Sequence, residues 1–266
     1  MLLGNIETSI KDLTLEFETW LPTGTAVIVY GDPGIGKTQA IEKYAHSIGA
    51  KLEVMVTSMM DRLDLGGMPI IVEENGFKAT TFAPHQLIQE LSKESNPDGK
   101  GVVLYLNEFI DCPEHVKCIF YRLIEERRIG GLTLRDNVYI IADGNLSGNG
   151  GSGKNLRWAE KGRFAHYAVV CPFEDWLRWA QSHGVNGFIT SFLSQAGFRG
   201  HFNNFDPKKR ERAAWACPRS WFKLSRVLPS VLERKDELSI SRAVYSVIGE
   251  EAGAQFVAYL KNAEDL

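Results

Sequence analysis

The eight residues Gly31-Asp32-Pro33-Gly34-Ile35-Gly36-Lys37-Thr38 have the types and the spacing of a phosphate cradle, G-x-x-x-x-G-K-[ST]. Backbone N–H groups bind phosphoryl oxygens in such a loop, and glycines let them come close because no side chain intervenes. Lys37 is expected to reach the β- and γ-phosphates, and the Thr38 hydroxyl to ligate Mg²⁺. The motif has meaning only between a strand and a helix. Both flanks fit. The apolar run Ala26-Val27-Ile28-Val29-Tyr30 leads in, and Gln39-Ala40-Ile41-Glu42-Lys43-Tyr44-Ala45 reads as a helix whose N-terminus adds partial positive charge. The expected binding surface therefore runs from Gly31 through Thr38 to Gln39.

Phosphoryl transfer also needs an acid beside the metal's water shell and a group that positions the attacking water. The apolar run Gly101–Leu106 delivers Asn107-Glu108 at a strand end, with Glu108 placed to polarise the lytic water. Asn107 stands where an aspartate is usual. Its amide can accept a hydrogen bond from a Mg²⁺-bound water but offers no charge. This predicts weaker Mg²⁺ affinity and slower turnover, and a faster Asn107→Asp variant. A second buried run, Asn137–Ala142, ends in Asp143-Gly144-Asn145. Asn145 can touch the γ-phosphate or the water, or serve only as a turn residue.

The elements that must hold these groups follow from hydrophobic pattern. Residues 1–20 carry helical spacing at Ile6, Ile10, Leu13 and Phe17, and Lys51–Val56 reads as a strand. Turn signals at Gly66-Gly67 and Asn75-Gly76 bracket a surface hairpin over Met68–Phe82. A helix is expected over His85–Ser92, a turn at Asn96–Gly99, a helix over Pro113–Arg127 and a short hairpin over Arg128–Arg135. Nearly continuous apolar strands alternating with helices imply a parallel sheet. Beyond Val170 the texture changes to helices at Glu174–Gln181, Phe188–Gln195, Ser220–Val231 and Ser239–Leu260.

Composition narrows the function classes. The 266 residues are 44% hydrophobic and 24% charged, with a net charge of −3. This is ordinary globular balance, without a general attraction to nucleic acid or anionic membrane. No apolar run approaches the roughly 18 residues that span a bilayer, and Met1–Glu7 lacks a signal-peptide pattern, so a soluble cytoplasmic protein is expected. Cys112, His115 and Cys118 do not share one helical face, which favours ordinary thiols over a metal site. Gly148–Asn155 imitates a second cradle but lacks the final Ser or Thr and a following helix.

Taken in order, Gly31–Thr38, Leu106-Asn107-Glu108, Leu123–Gly131 and Ala142-Asp143-Gly144-Asn145 resemble a AAA+ ATPase of the MoxR group. Gly162-Arg163-Phe164-Ala165-His166 resembles that family's arginine-finger segment, and Ala216-Cys217-Pro218-Arg219-Ser220-Trp221 its lid motif. The resemblance implies an α/β P-loop domain over 1–171, its parallel sheet flanked by helices, and a smaller all-helical lid over 172–266. It also implies ATP and Mg²⁺ as ligands, with Glu108 the catalytic glutamate and Asn145 the first sensor. Arg163, or alternatively Arg157, would be a finger inserted into a neighbouring subunit, and Arg219 the sensor of the chain's own γ-phosphate. A hexameric ring would face its client with the two hairpins, and a von Willebrand factor A-domain protein is the partner the group implies. Two other readings stay open. One is a nucleotide-gated scaffold with little turnover, because of Asn107. The other is a DNA-acting AAA+ protein, which the charge balance disfavours.

Overall fold

The computed structural model describes residues 7–264 apart from 75, 84, 94–99, 130, 146–155, 157 and 210. The Asn96–Gly99 turn, the glycine-rich imitation at 148–155 and Arg157 lie outside the described residues. Six strands form one parallel sheet: β1 (Glu7–Ser9), β2 (Ala26–Tyr30), β3 (Lys51–Val56), β6 (Val102–Asn107), β9 (Val138–Gly144) and β10 (Phe164–Val170). Their spatial order is β1-β10-β2-β9-β6-β3. The strands alternate with helices α1 (Leu13–Trp20), α2 (Lys37–Ser47), α3 (Arg62–Gly66), α4 (Gln86–Leu91), α5 (Glu114–Glu126) and α6 (Trp158–Lys161).

β2 is buried at every position, as are the first five residues of β6. Both strands are covered on both faces, which is why they read as continuous apolar runs. On one face Ile28, Leu104 and Ile140 pack with Phe109 and Phe120 of the α5 side. On the other, Val27, Val29, Val103 and Ile141 pack with Phe17 of α1 and Ile41 and Tyr44 of α2. Each such fully buried aliphatic contributes about 1.5–3 kcal/mol.

Two hairpins project from this sheet, β4 (Met68–Glu74) with β5 (Phe77–Ala83) and β7 (Arg128–Ile129) with β8 (Leu132–Thr133). Both are where the turn signals place them. One edge feature differs from expectation. Glu7–Ser9 is a strand, and the first helix begins only at Leu13. Phe164, Ala165 and His166 of the expected finger segment open β10, which lies inside the sheet between β1 and β2. The three residues of β1 carry no apolar pattern, and they form a strand because β10 supplies their backbone partners.

The C-terminal region is helical: α7 (Phe173–Ser182), α8 (Gly187–Ser194), α9 (Pro218–Leu232) and α10 (Glu237–Glu264), the last broken at Gly249. Its core is built from Trp176, Phe192, Trp221, Leu224 and Phe256. Phe192 lies 5.2 Å from Phe256 and 5.9 Å from Trp221 between ring centres. Among the described residues, no helix is long and apolar enough to cross a membrane.

Candidate nucleotide site

Parallel strands bring their C-terminal ends to one edge, and ligands bind in the crevice beyond those ends. Here β2 runs into Gly31, β9 into Asn145, β6 into Glu108 and β3 into Thr57 and Ser58. Register makes neighbours of distant residues. Leu106 pairs with Ala142 and Val56 with Asn107, so the tips of three strands stand side by side. Side chains alternate across a sheet, which puts Tyr105, Asn107 and Asp143 on the face that carries α2.

The loop after β2 curls over this edge. Gly34 has φ +84° and Gly36 φ +104°, a left-handed backbone that side chains disfavour. A Cβ on Gly34 would also lie 2.7 Å from Cys217 Sγ. Lys37 is buried and donates to Gly31 O at 2.9 Å, Asp32 O at 3.1 Å and Asn145 Oδ1 at 3.3 Å. Those contacts use the three donors of its ammonium. Burial holds the Lys37 amine below the usual lysine range; Asp143 and Asp32 oppose that shift and Arg219 adds to it.

A chain of polar contacts links this loop to β6 and β9. The Thr38 hydroxyl lies 3.3 Å from Tyr105 Oη. Asn107 Nδ2 donates to Tyr105 Oη at 2.9 Å and to Asp143 Oδ1 at 3.1 Å. The same Asp143 oxygen accepts the Glu108 N–H at 2.8 Å. Asp143 is buried, and burial pushes its carboxyl above the usual range, opposed by Lys37 and by hydrogen bonds from Glu108 N–H, Tyr105 and Asn107. Glu108 itself is exposed and left-handed at φ 57°, and its carboxylate accepts a hydrogen bond from Ser58 Oγ. Thr57 fixes the same turn by donating to Asn107 O at 3.0 Å.

The helical region touches the loop directly. Pro218 occupies the first position of α9, and Ser220 Oγ accepts the Cys217 N–H at 2.8 Å, which shapes the entry to the helix. That geometry presents the Arg219 N–H to Gly34 O at 3.0 Å. Asn203 adds a hydrogen bond to Asp32 Oδ2 at 3.2 Å.

Of the residues singled out by sequence, Lys37, Thr38, Asn107, Glu108, Asn145 and Arg219 meet at this edge. Pro33 and Ile35 complete the loop, Ile35 buried, and Gln39 is exposed on the first turn of α2. Arg163 stands apart from that network. Its guanidinium pairs with Glu125 at 2.8 Å and lies 5.1 Å over the Tyr121 ring, against α5. Sequence reasoning assigned nothing to Asp143, Tyr105, Ser58 or Asn203. An acid inside the otherwise apolar run of β9 was a readable signal for Asp143. Ser58 and Asn203 carried none, because their partners lie 50 and 171 residues away.

The donor set suits Mg²⁺, which takes hard oxygen ligands and keeps several waters. Thr38 Oγ1 would be a direct ligand, while Asn107 and the acids around it would hold water.

Comparisons with known proteins agree with the fold. Among solved structures, the RuvB Holliday junction branch migration motor of Thermotoga maritima superposes with a TM-score of 0.51 at 13% identity, over 95% of this chain and 68% of that one. A variant of the same motor gives 0.52 at 14% identity, over 96% of this chain and 69% of that one. At such identity the likeness is one of fold. No curated protein matches the chain significantly. The family model for the AAA domain, dynein-related subfamily, matches residues 26–164, from the strand entering the cradle to the start of β10. That stretch is more than half of the sequence and contains every strand tip of the site, so the chain belongs to the dynein-related AAA domain family.

Proposed function

We propose that the chain hydrolyses Mg²⁺-ATP as a MoxR-type AAA+ protein, assembled as a hexameric ring that remodels protein complexes. The observation that carries this reading is the Lys37 ammonium, buried against Gly31, Asp32 and Asn145, which joins the cradle to the tip of β9. On ATP binding Lys37 exchanges these carbonyl partners for phosphate oxygens. Glu108 leaves Ser58 and accepts a proton from the attacking water, while Asn145 orients that water. Thr38 Oγ1, with Asn107 through a water, would hold Mg²⁺, which would supply positive charge against the charge developing on the phosphates. Arg219 reaches the γ-phosphate from the lid of the same chain, and Arg163 reaches that of a neighbouring subunit after releasing Glu125.

The client-facing part of the proposal rests on the β4–β5 hairpin. Ile71 and Phe82 lie exposed on one face of the hairpin and Met68, Ile70 and Phe77 on the other, with Ile71 and Phe77 75% and 78% exposed. A surface of this kind suits a protein client, such as a von Willebrand factor A-domain partner, better than nucleic acid. Asn107 favours a second reading, a scaffold that holds ATP and turns it over slowly. Phosphate release by the wild type and by Glu108→Gln separates the two. The motor reading predicts a fall of about 10²–10⁴-fold in the variant, with ATP binding retained. Tight binding by the wild type with no release would favour the scaffold.

A further inference from the structure

Asp143 has no task in the reaction as proposed, yet it is a buried carboxylate at the centre of the site. Burying a charge is costly unless it is paired and hydrogen-bonded, so an acid in the apolar strand β9 needs a reason. Its Oδ1 accepts from Asn107 Nδ2 at 3.1 Å and from the Glu108 backbone at 2.8 Å. Asn107 Nδ2 donates its second hydrogen to Tyr105 Oη at 2.9 Å, and Tyr105 meets the Thr38 hydroxyl. Both amide hydrogens are thus committed, and Asn107 has only its carbonyl oxygen to offer a further partner.

We propose that the acid usual at the end of β6 has moved one strand over, to β9. Asp143 carries the charge, and Asn107 presents a neutral oxygen acceptor toward a metal-bound water, so the two act as one unit. Asp143 is then a positioning residue twice over: it orients the Asn107 amide and, through the Glu108 N–H, holds the left-handed turn that places the Glu108 carboxylate. The pairing also explains why residue 107 is not itself an acid. An aspartate there would set two carboxylates about 3 Å apart, where their like charges repel. The expectation that Asn107→Asp alone speeds turnover is therefore replaced by its opposite.

This inference rests on the ATPase reading, and binding measurements test it separately from turnover. The probe is a fluorescent ATP analogue titrated with and without Mg²⁺ into the full-length chain. In the wild type, Mg²⁺ should tighten binding. Asp143→Asn should lose about ten-fold or more of that gain, the scale usual for groups that orient metal ligands. Asn107→Asp alone should also lose part of it. The exchange Asn107→Asp with Asp143→Asn should return the gain to within about two- to three-fold of wild type, since the pair is coupled.

A full magnesium response in Asp143→Asn would overturn the inference, as would an exchange no better than the worse single variant. Thermal melts establish that each variant is folded. If Asp143→Asn is not, the exchange is compared with wild type alone. Recovery of the response then supports the pair, and its absence overturns it. A wild type that ignores Mg²⁺ altogether would overturn both this inference and the ATPase reading, whereas the variant outcomes bear on the inference alone.

Discussion

The sheet half and the helical half of this chain place polar groups in opposite ways. In the sheet half, buried strands end in Asn107, Asp143 and Asn145: Asn145 accepts from Lys37, Asn107 donates to Asp143, and the Asp143 charge acts on Lys37. In the helical half, the centre is aromatic, with Phe192, Trp221 and Phe256 in mutual contact. Buried polar side chains there include Ser220 and Ser225, which accept from backbone N–H groups, while Arg219 and Asn203 reach the loop at its edge. The difference separates two jobs. On the proposed reading the sheet half supplies the chemistry, and the helical half a packed body that holds a few contacts over the cradle.

The sharpest way to break that division is inside the aromatic core. Trp221→Ala removes a fully buried ring and its Nε1–H bond to His201 O, and should cost about 3–5 kcal/mol. Calorimetry should then show the helical half melting first, with the sheet half keeping its own transition. A single shared transition would mean that the halves are one cooperative unit.

A smaller effect is expected at the contact between the halves. Gly34→Ala forces a side chain into a left-handed backbone against Cys217, a strain of about 1–3 kcal/mol. ATP affinity should fall by about ten-fold, and the melting temperature of the sheet half by a few degrees. The smallest change is Asn203→Ala, which deletes one hydrogen bond to Asp32 worth about 1 kcal/mol. Equal affinity for ATP in that variant would show that the helical half contributes nothing through Asn203.

The chemistry was legible where it is local. The cradle, the strands β2, β6 and β9 and both hairpins each announce themselves within one short stretch of chain, through apolar runs and turn residues. β1 and β10 did not. β1 has three residues and no pattern, and of β10 only Phe164, Ala165 and His166 drew a reading, as part of the arginine segment. Asn107 was legible as an oddity but not as half of a pair, because Asp143 lies 36 residues on and becomes its neighbour only through strand order. Arg163 illustrates the same limit, since its partners Glu125 and Tyr121 come from a helix earlier in the chain.

The most direct measurement of the central claim is phosphate release per chain as protein concentration rises, with Mg²⁺-ATP in excess. A site completed by a neighbour's arginine predicts a rate per chain that climbs steeply and then levels once rings have formed. A rate that is zero throughout, despite saturable ATP binding, would contradict the account.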